Sequence, residues 1–156
     1  MILDSQLILS DSQAFTASAF ATNVIDNAVS SALGTGEPMA LLITVEVAAD
    51  VATGDESYTF DLEYSSTANQ SSGRELLNRM AYSAAGSANS RLASLLVAGY
   101  QFAMPIPPTV ASSTERYLGM QVILSGTTPS ITISSHVVPL SFIDSTIDYA
   151  TGYSIT

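Results

Sequence analysis

The chain has 156 residues, 47% of them apolar and 12% charged, which is enough apolar mass for one folded domain and too much for a disordered one. Fourteen acids face four arginines (Arg74, Arg79, Arg91 and Arg116), there is no lysine, and the formal net charge is −10. That balance argues against a phosphate-backbone or anionic-membrane partner, and leaves a basic protein surface as the natural one, or solubility as the charge's whole purpose.

The first twelve residues (MILDSQLILSDS) set Ile2, Leu3, Leu7, Ile8 and Leu9 among Asp4, Gln6 and Asp11. With no basic region in front of these residues, no secretory leader is expected; they read as an apolar N-terminal arm. Residues 15–20 suggest a short early strand, and Gly34-Thr-Gly36-Glu-Pro38 a turn. Leu41, Ile43, Val45 and Val47 then alternate with Leu42, Thr44, Glu46 and Ala48. After the turn at Thr53-Gly-Asp55, Tyr58, Phe60, Leu62 and Tyr64 alternate with Thr59, Asp61, Glu63 and Ser65. Period two of this kind describes a strand with one face on a core and one in water.

A polar loop follows over 65–75 (SSTANQSSGRE). Leu76, Leu77, Met80 and Ala81 have helical spacing, which predicts one or two helical turns over 74–82. Tyr100, Phe102, Met104 and Ile106 line one face of the next strand, which the prolines of 105–108 end. Leu118, Met120, Val122 and Leu124 form another, and Ser125-Gly-Thr-Thr-Pro129 reads as a hairpin-like connection. It leads to Ile131, Ile133 and Val137 opposite Thr132, Ser134 and His136. Residues 143–156 (IDSTIDYATGYSIT), with Tyr149 and Tyr153, read as a second arm.

Short strands with Gly/Pro turns and no βαβ alternation predict an all-β protein, an antiparallel β-sandwich or jelly roll with a short helical excursion inside 74–95. The expected boundaries are an arm over 1–12, the sandwich over 13–142 and an arm over 143–156. The expected core holds Ile43, Val45, Tyr58, Phe60, Leu62, Phe102, Leu118, Val122, Ile131 and Ile133.

Little in the sequence suggests chemistry. The single histidine, His136, falls on the polar face of its strand and reads as exposed or at an edge, and no Gly-x-Ser-x-Gly elbow offers it a nucleophile. With no cysteine and one histidine, a zinc site would have to be nearly all carboxylate. Asp61 and Glu63 share a strand face at about 7 Å, within glycosidase range, but polar-out alternation alone puts them there, facing solvent. Asp144 and Asp148 lack the spacing of a calcium loop. Gly34-Thr-Gly36 lacks the Lys-Ser/Thr of a phosphate cradle. The expectation is therefore no enzyme, no cofactor, no metal, no nucleic acid and no membrane. No apolar run approaches the ~20 residues of a membrane-spanning helix.

The order of short motifs carries a resemblance. Residues 96–129 read LVAGYQFAMPIPP and then ERYLGMQVILSGTTP, after an opening of MILDSQ and SDSQAFTASAFATNVID. With the closing Tyr149-Ala-Thr-Gly-Tyr153, this resembles the Bbp16-like capsid cement (head decoration) proteins of tailed bacteriophages. The resemblance covers most of the chain and is weakest over 65–95. One departure is Gln121, where that family often carries a basic residue. It implies a jelly-roll fold, no catalysis and a place on the outer surface of a virion, bound to the major capsid protein, after assembly in the host cytoplasm. It also leaves open self-association as a dimer or trimer.

The alternatives are another virion β-module, such as a head fibre or tail component, and a carbohydrate-binding jelly roll, against which the absence of tryptophan counts. The residues expected at an interface are Ile2, Leu3, Leu7, Ile8, Leu9, Tyr149 and Tyr153, together with the loop around 65–90. The competing expectation is that both ends fold back on their own sandwich.

Overall fold

The structure is a computed structural model describing residues 5–27, 37–107 and 116–143 and the backbone of 148–149. Eleven strands lie among the described residues: β1 (Ile8–Phe15), β2 (Ala19–Phe20), β3 (Ile25–Asp26), β4 (Met39–Val47), β5 (Ser57–Ser65), β6 (Glu75–Ser83), β7 (Arg91–Leu92), β8 (Gln101–Pro105), β9 (Tyr117–Ser125), β10 (Ile131–Pro139) and β11 (Asp148–Tyr149). They form two sheets. The first has the order β1-β10-β4-β8-β11, and the second β2-β9-β5-β6-β7, with β3 also on β9. All pairings are antiparallel except β6 with β7 and β8 with β11, at the sheet edges.

All ten expected core residues are buried, drawn from both sheets, because period-two alternation sends one side of each strand inward. Phe60 stands edge-on to Phe102 at 5.0 Å and to Tyr82 at 6.1 Å between ring centroids. Leu9 and Phe15 of β1 close one side of the same core.

Three expectations fail here for identifiable reasons. The helix predicted over 74–82 is strand β6, and helical content among the described residues is three single 3-10 turns, at Ser5–Leu7, Ala93–Leu95 and Leu140–Phe142. Leu62 pairs with Asn78 and Glu63 with Leu76, so Leu77 is an extra, bulged residue. The bulge breaks the alternation, and the apolar residues 76, 77, 80 and 81 then mimic a helical face.

The connection at 125–129 is no hairpin, since β9 lies in the second sheet and β10 in the first. Gly126 (φ +101°) makes that crossing, and a Cβ there would meet the Asp55 carbonyl oxygen at 2.6 Å. The 53–55 turn also crosses between sheets, and the Asp55 carboxylate accepts from Thr127 N and Oγ1 at 3.0 Å each, joining the two crossings.

The N-terminal boundary also moves. Residues 8–12 belong to the sandwich, because β1 pairs with β10 from Ile8 onward.

Candidate interaction surface

The outer side of the second sheet is built around two buried carboxylates. Asp61 and Glu63, expected to face solvent, are each 3% exposed. Central β5 runs between β6 and β9, so long side chains from its neighbours fold over its outward residues. Arg79, directly across from Asp61 on β6, donates Nε and Nη2 to its two carboxylate oxygens at 2.7 and 2.6 Å. Arg74 grips Glu63 in the same bidentate way at 2.9 Å, reaches Gln121 of β9, and lies 5.0 Å from the Phe20 ring centroid of β2. One guanidinium thus ties three strands. A third pair, Arg116 with Asp26, holds β3 at the same sheet's edge, at 2.7 and 2.6 Å. The sequence signal was there in the arginines at 74 and 79, but it points to Asp61 and Glu63 only once β6 is a strand antiparallel to β5.

The outer side of the first sheet is mixed, with an apolar cluster at one end and polar residues such as Thr44 and Gln101, which bond each other at 3.0 Å, beyond it. Strand register puts Ile8, His136, Leu42 and Ala103 in one row across β1, β10, β4 and β8. Beside it Ala40, Ala103, Val138 and Ile143 form a small cluster, packed by Leu42 and Leu140.

His136 is not at an edge. It sits half-buried on β10 between β1 and β4, and its Nδ1 has no hydrogen-bond partner among the described residues. Burial pushes its pKa below the usual histidine value, against the attraction of Asp11 and Glu46. The unfolded chain therefore takes up this proton first. The stability involved is intact above the unfolded pKa of about 6.5 and drains away as pH falls toward the folded value. Asp55 and Glu56 act at lower pH: the Thr53 hydroxyl, its one proton shared between them, together with Thr127 at Asp55 and the Thr53 and Gly54 amides at Glu56, holds both carboxyls below their ordinary values, so their contribution persists above about pH 4 and is lost below it. Urea midpoints measured across pH should fall in two steps, and His136→Leu should remove the upper one.

The expected contact residues fare unequally. Leu9 is fully buried in the core and is closed to any partner, while Leu7 and Ile8 are half-buried against their own sandwich. Tyr149 lies in β11, whose backbone pairs with Ala103 at the edge of the first sheet. Ile2, Leu3 and Tyr153 lie outside the described residues.

An exposed apolar group missed in the sequence instead occupies the crossing from β7 to β8. Leu92, Leu95 and Val97 are exposed there, as is Val47 at the end of β4. Hydrogen bonds from Ala49 N to Leu96 O and from Gly99 N to Val45 O, each about 2.9 Å or shorter, hold this crossing against β4. The unalternating run LASLLV at 92–97 was its only signal.

Among the described residues no three His, Asp or Glu side chains cluster as metal ligands, and no helix is long and apolar enough to cross a membrane. These features define a two-sheet β-sandwich with one ion-paired outer side, a small apolar cluster on the other outer side and an apolar crossing at one end. Residues 9–137 match the family model described as Bbp16, and the chain belongs to that phage-associated family. The match runs from within β1 to within β10, so it contains the motifs of 96–129 but not the opening MILDSQ or the Tyr149–Tyr153 motif. No curated protein matches the chain.

Proposed function

We propose that this chain is a structural virion protein, without catalytic role, that binds the outer surface of a tailed-phage capsid and cements the lattice of its major head protein. The observation that carries this reading is the family match across nearly the whole sandwich. The reading takes the sandwich as a jelly roll. Its support is four nested antiparallel pairs, β1 with β10, β2 and β3 with β9, β4 with β8 and β5 with β6, the order made by wrapping one long hairpin into two sheets.

Charge supports a basic docking face. Arg74, Arg79 and Arg116 are held by Glu63, Asp61 and Asp26, so little positive charge offsets the remaining acids at the surface. Acidic excess of this kind steers a protein onto a basic rim and weakens with salt. The exposed Leu92, Leu95 and Val97 supply apolar contact area, and Ile2, Leu3 and Tyr153 remain candidate contacts in the arms. A protein that binds the assembled lattice and not the free subunit stabilises the shell by mass action.

The test adds purified protein to capsids that lack it. Saturable binding that weakens with salt and raises the capsid's disruption temperature is expected, and Leu95→Asp with Val97→Asp should reduce affinity by about tenfold or more. Capsids that neither bind the protein nor gain heat resistance at low salt would refute the proposal.

A further inference from the structure

We infer that residues 66–73 form a flap that seats on the outer side of the second sheet through one side chain, Gln70, and lifts as a unit. Gln70 is 1% exposed, yet neither Nε2 nor Oε1 has a hydrogen-bond partner among the described residues. Its amide packs against Gly119 of β9, so close that a Cβ on Gly119 would stand 1.2 Å from Gln70 Nε2. The glycine of the Tyr-Leu-Gly-Met motif is therefore the seat of this side chain.

The loop holds its shape largely through bonds of its own. Ser66 Oγ donates to the Ser72 carbonyl at 3.1 Å, Gln70 N to the Thr67 carbonyl at 2.9 Å, and Ser71 Oγ to Asn69 Oδ1 at 2.7 Å. A further bond, from Ser65 Oγ at the end of β5 to the Ser72 carbonyl at 2.8 Å, ties the loop to the sheet. The bonds within 66–72 survive if the loop swings away, and the Ser65 bond does not. Gln70 itself is left-handed at φ +55°, which disfavours a residue with a side chain. The joint behind it is Gly73, at φ +58°. Arg74, fixed on Glu63 and Gln121, marks where the moving part ends.

The energetics favour two positions. Seating the flap buries an amide whose donors and acceptors no described residue matches, and lifting it returns those groups to water. Against this stand the packing of one side chain on Gly119 and the bond from Ser65 Oγ of β5 to the Ser72 carbonyl. The lifted flap bares Gly119 beside the Glu63 carboxylate, which is its partner in strand register. This behaviour does not depend on the chain being a cement protein.

Hydrogen exchange of the full chain, read by mass spectrometry, tests the flap. Amides of 66–73 should exchange about a hundredfold faster than those of β5 and β9. Gln70→Met keeps the length and removes the unmatched amide, so it should slow exchange in the loop by about tenfold with the melting temperature unchanged or higher. Gly119→Ala fills the seat and should release the loop while β5 and β9 stay protected. Faster loop exchange or a lower melting temperature in Gln70→Met would overturn the inference, because it would mean that the seated amide is satisfied, for instance by internal water. Loop protection unchanged in a folded Gly119→Ala variant would overturn it as well. If Gly119→Ala does not fold, the sign of the Gln70→Met effect decides alone.

Discussion

Phe60→Ala is expected to lower the unfolding free energy by about 3–5 kcal/mol. Phe60 is fully buried on central β5, and its ring meets Phe102 of the opposite sheet and Tyr82 of the neighbouring strand edge-on. Truncation removes the transfer energy of the ring, leaves a cavity that strands on both sides cannot close, and deletes two aromatic contacts worth about 0.5–1.5 kcal/mol each. A domain of this size is stable by only about 5–15 kcal/mol, so the variant should have a sharply lower urea midpoint with an unchanged m-value. A loss under about 1 kcal/mol would mean that Phe60 faces the wrong side, as a one-residue slip of β5 would make it do.

The second large effect is an asymmetry within one ion pair. The Asp61 side chain is 5% exposed and that of Arg79 is 54% exposed. Arg79→Met leaves a buried carboxylate without its counter-charge. Breaking a fully buried pair costs about 3–5 kcal/mol, and water reaching the exposed arginine side reduces this to about 2 kcal/mol. Asp61→Asn leaves the guanidinium in contact with water and keeps a hydrogen-bonding amide, so it should cost less than about 1 kcal/mol. The double variant should be more stable than Arg79→Met alone, because the neutral amide no longer needs the arginine. Equal losses in the two single variants would show that Asp61 is as well solvated as Arg79.

That pair also marks how far the sequence could be read. Alternation found β4, β5, β8, β9 and β10 and every one of the ten core positions, because a residue's side on a strand follows from its parity alone. Parity says which residues point outward and nothing about what covers them. Asp61 and Glu63 do point away from the core, but β5 is central: β6 carries Arg79 directly across from Asp61, and Arg74, just before β6, reaches Glu63. Burial of an outward residue depends on strand order, a long-range property. Strand order also puts His136 on an interior strand and sends the 125–129 connection across the sandwich instead of into a hairpin.

The β6 bulge shows a different limit. One inserted residue at Leu77 shifts the apolar pattern from a period near two to one near 3.6, and local reading then finds a helix. The N-terminal apolar stretch was legible as something needing a partner, and from Ile8 onward that partner is its own β10. Among the surface features, the Leu92, Leu95 and Val97 group was legible only as an unalternating run. The seat of Gln70 on Gly119 was not legible, because it joins residues 49 positions apart through a contact that no motif encodes.

The most direct test of the cement proposal is the copy number of this protein in purified virions, by quantitative mass spectrometry with cryo-EM of the same particles. The proposal predicts a fixed, high ratio to the major head protein, with two-sheet density on the outer surface of the shell. Absence from the virion, or a handful of copies confined to the tail, would contradict it.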